Sequence, residues 1–139
     1  MSQHDVAALQ IRYPNAVPYS FGDSPEMNAE LLRLVLDGTK TATCGALRDF
    51  EGGLEAMPEL GRCDIVLGPD GAPAAVTRTT ELRKLKFIDV DAAFAYDEGE
   101  GDRTLETWRR FHQAYFERNG GFDPQMLLLC ERFELVEAL

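Results

Sequence analysis

The sequence predicts an α+β domain, a mixed sheet or small barrel with helices packed against it. Strand-like runs occur in both halves of the chain, around 39–44, 65–82 and 126–135. Two helical stretches, 25–37 and 104–118, are set among them. The runs do not alternate with helices at regular spacing and no Gly-rich phosphate loop occurs, so a βαβ repeat is not expected.

Residues 1–20 lack clear periodicity, and Pro14 and Pro18 mark them as an irregular lead-in to a domain spanning 21–139. Ser24-Pro25 is a helix start, a capping hydroxyl followed by proline in the first turn. Met27, Leu31, Leu34 and Val35 fall on one face of that helix, and Gly38 is placed to end it. Thr39 to Cys44 is threonine-rich and leads into a strand. Residues 51–62 carry Gly52-Gly53 and Pro58 and read as a loop. Ile65-Val66-Leu67, a turn at Pro69-Asp70-Gly71 and Ala74 to Leu82 read as a hairpin. Val90, Ala93 and Phe94 suggest a brief helix. Asp102 or Thr104 can cap the helix over 104–118, whose stripe is Leu105, Trp108, His112 and Tyr115. Met126 to Cys130 reads as a buried strand that continues through Phe133 and Leu135, with Arg132 and Glu134 alternating.

With 139 residues, 45% of them hydrophobic and 27% charged, the chain is sized for one globular domain with a single core. No apolar run approaches the roughly 20 residues that span a bilayer, and Met1 to Asp5 shows no signal-peptide pattern. Cys44, Cys63 and Cys130 form no CxxC, and only two histidines are present. Reduced thiols in a cytoplasmic location are therefore expected, and a zinc site is not. The net charge of −10 opposes non-specific binding to a phosphate backbone. Arg78, Arg83, Lys84 and Lys86 nevertheless cluster, and could meet phosphates locally.

The stretch from Tyr96 to Arg103 sets Glu98, Glu100 and Asp102 around Gly99 and Gly101. Like charges repel and glycine costs backbone entropy, so this segment is expected to line a polar cleft facing a cation from elsewhere in the chain. An acidic loop capping a helix N-terminus would carry the same charges. Trp108 and His112 on one stripe suit a core as well as a site, and His112 can titrate near neutrality.

Three groups of residues resemble the ASCH domain family. They are Phe21-Gly22-Asp23-Ser24-Pro25, then Gly38-Thr39-Lys40-Thr41-Ala42-Thr43-Cys44, then Glu98-Gly99-Glu100-Gly101-Asp102-Arg103 with Trp108 and His112. The closing Cys130-Glu131-Arg132-Phe133 also fits, and the markers span roughly residues 21–135. The resemblance implies a PUA-like small mixed β-barrel, helices packed around a cleft, and an RNA-related role. One small relative is an amidohydrolase acting on N4-acetylcytidine, and another member is described as a ribonuclease. By resemblance, Lys40, Thr43 and Glu100 are the expected catalytic residues, with Glu98 competing for the place of Glu100. Glu98, Asp102, Arg103, Trp108, His112 and Arg48 are expected around the ligand. Arg48 stands where many relatives have an aromatic residue, and Arg62 where an aspartate is usual; the latter is expected only to alter a strand entry.

The expected activity is cofactor-free hydrolysis of a modified nucleoside, with an RNA-binding module or a ribonuclease as alternatives. The expected ligand is RNA or a small nucleoside, with no metal, membrane or obligatory protein partner. A threonine hydroxyl becomes a nucleophile when a base takes its proton. Lys40 could be that base only with a lowered pKa; otherwise it holds an oxyanion while Glu100 moves protons. Residues three apart in a strand point to opposite faces, so Lys40 and Thr43 converge only if the chain turns after Gly38.

Overall fold

The computed structural model describes residues 5–139. Its centre is a five-stranded mixed sheet in the order β1-β3-β4-β5-β2. The strands are β1 (Pro18–Tyr19), β2 (Ala42–Ala46), β3 (Cys63–Leu67), β4 (Pro73–Lys86) and β5 (Leu127–Ala138). β1 runs parallel to β3, and the other neighbours are antiparallel. The hairpin expected around Gly71 is β3–β4, and the two long strands β4 and β5 pair along their length with register shifts at Val76/Thr77 and Thr79/Glu81. Such shifts add local twist and bend a strand.

Among the described residues five α-helices accompany the sheet: α1 (Val6–Arg12), α2 (Pro25–Leu36), α3 (Leu47–Glu51), α4 (Ala92–Glu98) and α5 (Leu105–Arg118). α2 begins as its sequence dictates, with the Ser24 hydroxyl accepting from the Met27 amide and Pro25 in the first turn. α5 is capped by Thr104 rather than Asp102. None of the described helices is long and apolar enough to cross a membrane.

The irregular lead-in expected over 1–20 is corrected: α1 and β1 lie within it, and only residues 1–4 fall outside the described chain. Successive strand residues face opposite sides, and here both sides are covered. Val66 and Ala75 pack with Leu31, Leu34 and Val35 of α2, whereas their neighbours Ile65 and Val76 pack with Leu9 of α1 and Ala16. A seven-residue helix has little stability of its own. Burial of Leu9 against the sheet, more than local periodicity, accounts for α1. The loop expected from residue 51 is preceded by the short α3, and Tyr96 to Glu98 belongs to the last turn of α4 instead of a loop. Phe87, Phe94, Trp108, Phe116 and Leu128 form the remaining core cluster, where α4 and α5 meet the sheet.

Candidate functional site

The turn that brings Lys40 inward starts where α2 ends. Gly38 is left-handed, with φ +85°, and the Lys40 amide donates back to the Leu34 carbonyl at 3.0 Å. The next residue, Thr41, is stitched on both sides: its amide donates to Asp97 O and its carbonyl accepts from the Phe133 amide. β2 therefore begins only at Ala42, and Lys40 and Thr43 line one cavity. The opposing segment leaves α4 through Gly99, also left-handed at φ +76°. A Cβ at Gly99 would stand 2.8 Å from the Thr39 carbonyl oxygen, so this close approach requires glycine.

Lys40 and Glu98 are each 1% exposed. The Lys40 ammonium donates to Glu98 Oε1 at 3.0 Å, to the Glu98 carbonyl at 3.4 Å and to Glu100 Oε2 at 3.3 Å. Its three N–H bonds thus have three acceptors. The other oxygen of Glu98 accepts from the Trp108 indole at 2.7 Å. His112 Nε2 lies 3.4 Å from that same oxygen and 4.0 Å from Glu100 Oε2. His112 Nδ1 is 2.9 Å from the Trp108 carbonyl, and because a carbonyl only accepts, Nδ1 carries a hydrogen. A neutral ring would then aim the Nε2 lone pair at two carboxylates. A protonated ring instead sets its Nε2–H beside Glu98 Oε2, where the charges are complementary.

Electrostatics follow from this arrangement. Burial alone would lower the Lys40 pKa, but Glu98 and then Glu100 outweigh it and the net shift is upward. Burial pushes Glu98 up, yet Lys40 and His112 pull it well below the usual carboxylate range. Glu100 is left above its ordinary value, by burial opposed by Lys40 and reinforced by the charge of Glu98. For His112, burial lowers and Glu98 then raises, with a net upward shift. Trp108, the chain's single tryptophan, stacks on the His112 ring at 4.2 Å. Protonated imidazole quenches indole emission, so fluorescence is expected to rise as pH passes upward through a value above 6.5, the ordinary one for histidine. The step should vanish in His112→Gln; a step below the ordinary value would contradict the imidazolium.

Cys44, Glu98 and His112 bring potential metal-ligand atoms within 4.8 Å of one another. The Lys40 ammonium already sits on Glu98, however, and burial, then Glu98, holds the Cys44 thiol neutral. A divalent ion would meet a fixed cation and a protonated sulfur, so the donor set does not suit a metal.

The cavity measures about 270 Å³. Lys40, Thr43, Glu100 and His112 form one part of its wall, while Phe21, Phe50 and Tyr115 contribute aromatic surface. Glu98 also lines it, and Asp102, Arg103, Trp108 and Arg48 lie outside the lining. Asp102 is a surface carboxylate that accepts from the Thr104 amide and hydroxyl. Arg103 stacks on Tyr96 at 3.5 Å and donates to the Tyr96 carbonyl, bracing the acidic segment from outside. Trp108 acts on the site through Glu98. Arg48 donates to the Asn119 and Gly121 carbonyls, tying α3 to the end of α5. In the basic stretch, Arg78 is paired with Glu134 and Arg83 with Glu81, while Lys84 and Lys86 are exposed.

Sequence reasoning missed the far wall. Arg62, expected only to alter a strand entry, lines the cavity and makes a bidentate pair with Asp64 at 2.8 and 3.1 Å. Tyr19 shares a hydrogen bond with Thr77 at 2.8 Å, and Glu131 accepts from Thr79 at 2.6 Å. Only strand register unites these groups; no local motif does. Two signals were available, the unusual Arg62 and the place of Glu131 in Cys130-Glu131-Arg132-Phe133.

A family model described as the ASCH domain matches residues 17–137. Among solved structures, an ASCH domain from Lactobacillus crispatus superposes with a TM-score of 0.82 at 28% identity, covering 98% of this chain and 86% of that one. A protein from Enterococcus faecalis superposes at 0.79 with 36% identity, over 88% of this chain and 77% of that one. No curated protein matches the sequence. ASCH domains are PUA-like, in agreement with the α+β architecture described above.

Proposed function

The chain belongs to the ASCH domain family, which is often linked to RNA-related roles, and from that premise we propose that it hydrolyses the amide of an N-acylated nucleoside such as N4-acetylcytidine. One observation carries the reading: a buried ammonium clamped between two carboxylates lies in the wall of a partly open cavity that Thr43 also lines. A volume of about 270 Å³ suits a single nucleoside, with aromatic surface for a base.

Lys40, held charged, is the cation for the oxyanion that forms at the amide carbonyl, which receives the N–H that Glu100 holds as that carboxylate takes up a proton. Glu100, whose pKa is raised by burial and the charge of Glu98 and so makes a stronger base than an ordinary carboxylate, takes the hydroxyl proton as Thr43 Oγ attacks the carbonyl carbon. The C–N bond then breaks, releasing the amine, and water cleaves the acyl-threonine. Glu98 keeps Lys40 charged and placed; His112 offsets the paired negative charge.

Incubation with N4-acetylcytidine should release cytidine. Thr43→Val, which removes only the hydroxyl, should slow release at least 10²-fold with little loss of stability. No turnover across a panel of acylated cytidines, or unchanged turnover in Thr43→Val, would remove the reading.

A second reading, RNA binding without catalysis, is favoured by exposed Lys84 and Lys86, for which no ion pair occurs among the described residues. It predicts affinity for short RNAs that falls steeply with salt. A ribonuclease reading has less support, because both ring nitrogens of His112 face internal partners.

A further inference from the structure

We propose that Glu131 is a catalytic acid of this cavity, donating a proton to the leaving nitrogen after Thr43 has attacked. This assignment rests on the hydrolase reading above.

The placement comes from strand register. Thr43 of β2 and Glu131 of β5 are direct cross-strand partners. Directly opposed residues project to the same face of a sheet with Cβ atoms about 4.5–5.5 Å apart. Both line the cavity. A group attacked by Thr43 Oγ therefore lies within reach of the Glu131 carboxyl. β5 is flanked by β4 and β2, an expensive position for an acid with no structural task.

Glu131 has no cation within ion-pair distance among the described residues; its hydrogen bond is from the Thr79 hydroxyl to Oε2 at 2.6 Å. Thr79, itself 3% exposed, thus fixes the carboxyl without neutralising it. Burial is the leading influence on this group and raises its pKa, with Thr79 opposing, which favours the protonated form more than in an ordinary carboxyl. Glu100 beside Lys40 and Glu131 beside Thr43 then divide the proton traffic.

The balance closes. The Thr43 proton passes to the Glu100 carboxylate as the Thr43 O–C bond forms. The Glu131 proton passes to the nitrogen as the C–N bond breaks, leaving a neutral amine and ionised Glu131. In deacylation, water gives a proton to Glu131 and its oxygen to the acyl carbon, and Glu100 returns its proton to Thr43.

The test compares two acetyl donors that differ in their need for an acid. Expelling cytidine from N4-acetylcytidine requires nitrogen protonation, whereas p-nitrophenolate leaves p-nitrophenyl acetate without it. In Glu131→Gln, the ratio of amide to ester kcat/KM should fall by about 10²–10⁴-fold. Thr79→Val, which frees the carboxyl but retains it, should lower the ratio less, and it serves if Glu131→Gln does not fold. A ratio that stays constant in the folded variants overturns the proposal, because a purely structural role would depress both substrates together. Absence of amide turnover by the unsubstituted protein overturns the hydrolase reading itself, and the assignment of Glu131 with it.

Discussion

Lys40→Met is expected to destabilise the fold by about 3–5 kcal/mol and to abolish turnover of acylated cytidine. Methionine can fill the space, but Glu98 is then left fully buried with His112, the Trp108 indole and the Cys44 thiol for compensation. Glu100, close to the same position, adds repulsion. A domain of this size has roughly 5–15 kcal/mol in total, so the loss would be plain in a urea unfolding curve. An exposed Lys–Glu pair would lose at most about 1 kcal/mol.

Glu98→Gln is expected to cost a similar amount, about 3–5 kcal/mol, because it strands the Lys40 ammonium with Glu100 alone and removes the charge that holds His112 protonated. Combining it with Lys40→Met should cost less than the sum of the two, since the double variant carries neither member of the pair. Strict additivity in unfolding experiments would mean that the pair is not coupled. The pH dependence has a defined sign. Glu98 is held below its ordinary value of 4.5, so its contribution is complete above that value and is lost as pH falls through the depressed one. His112 is raised, so its contribution is complete below 6.5 and fades as pH rises through its folded value. In Glu98→Gln both effects shrink, and the Trp108 fluorescence step moves to lower pH.

Much of this site could be read along the chain, because its two halves are local. Gly38 to Cys44 and Glu98 to Arg103 each carry a glycine-controlled turn, and charge complementarity pairs them. The order of the two glutamates could not be read so directly. Glu98 is the buried partner because it closes α4, whereas Glu100, two residues beyond, reaches the cavity with its side chain 16% exposed. The helical stripe left Trp108 open between core and site, and its buried indole, a donor to Glu98, depends on how α4 and α5 pack. Tyr19, Arg62 and Glu131 were not legible as a group, since only β-sheet register brings them together. Register also decides part of the basic run from Arg78 to Lys86: it sets Arg78 opposite Glu134, 56 residues away, while Lys84 and Lys86 are exposed. α1 was missed because the sheet supplies the apolar partner that its own seven residues do not advertise.

The chemistry throughout depends on Lys40 remaining an ammonium. Nitrogen-15 NMR of its Nζ across a pH titration measures this directly. A charged side chain at neutral pH that resists deprotonation above 10.5, its ordinary value, is the predicted result. A neutral amine near pH 7 would make Lys40 a base, and would contradict the electrostatic role assigned to it.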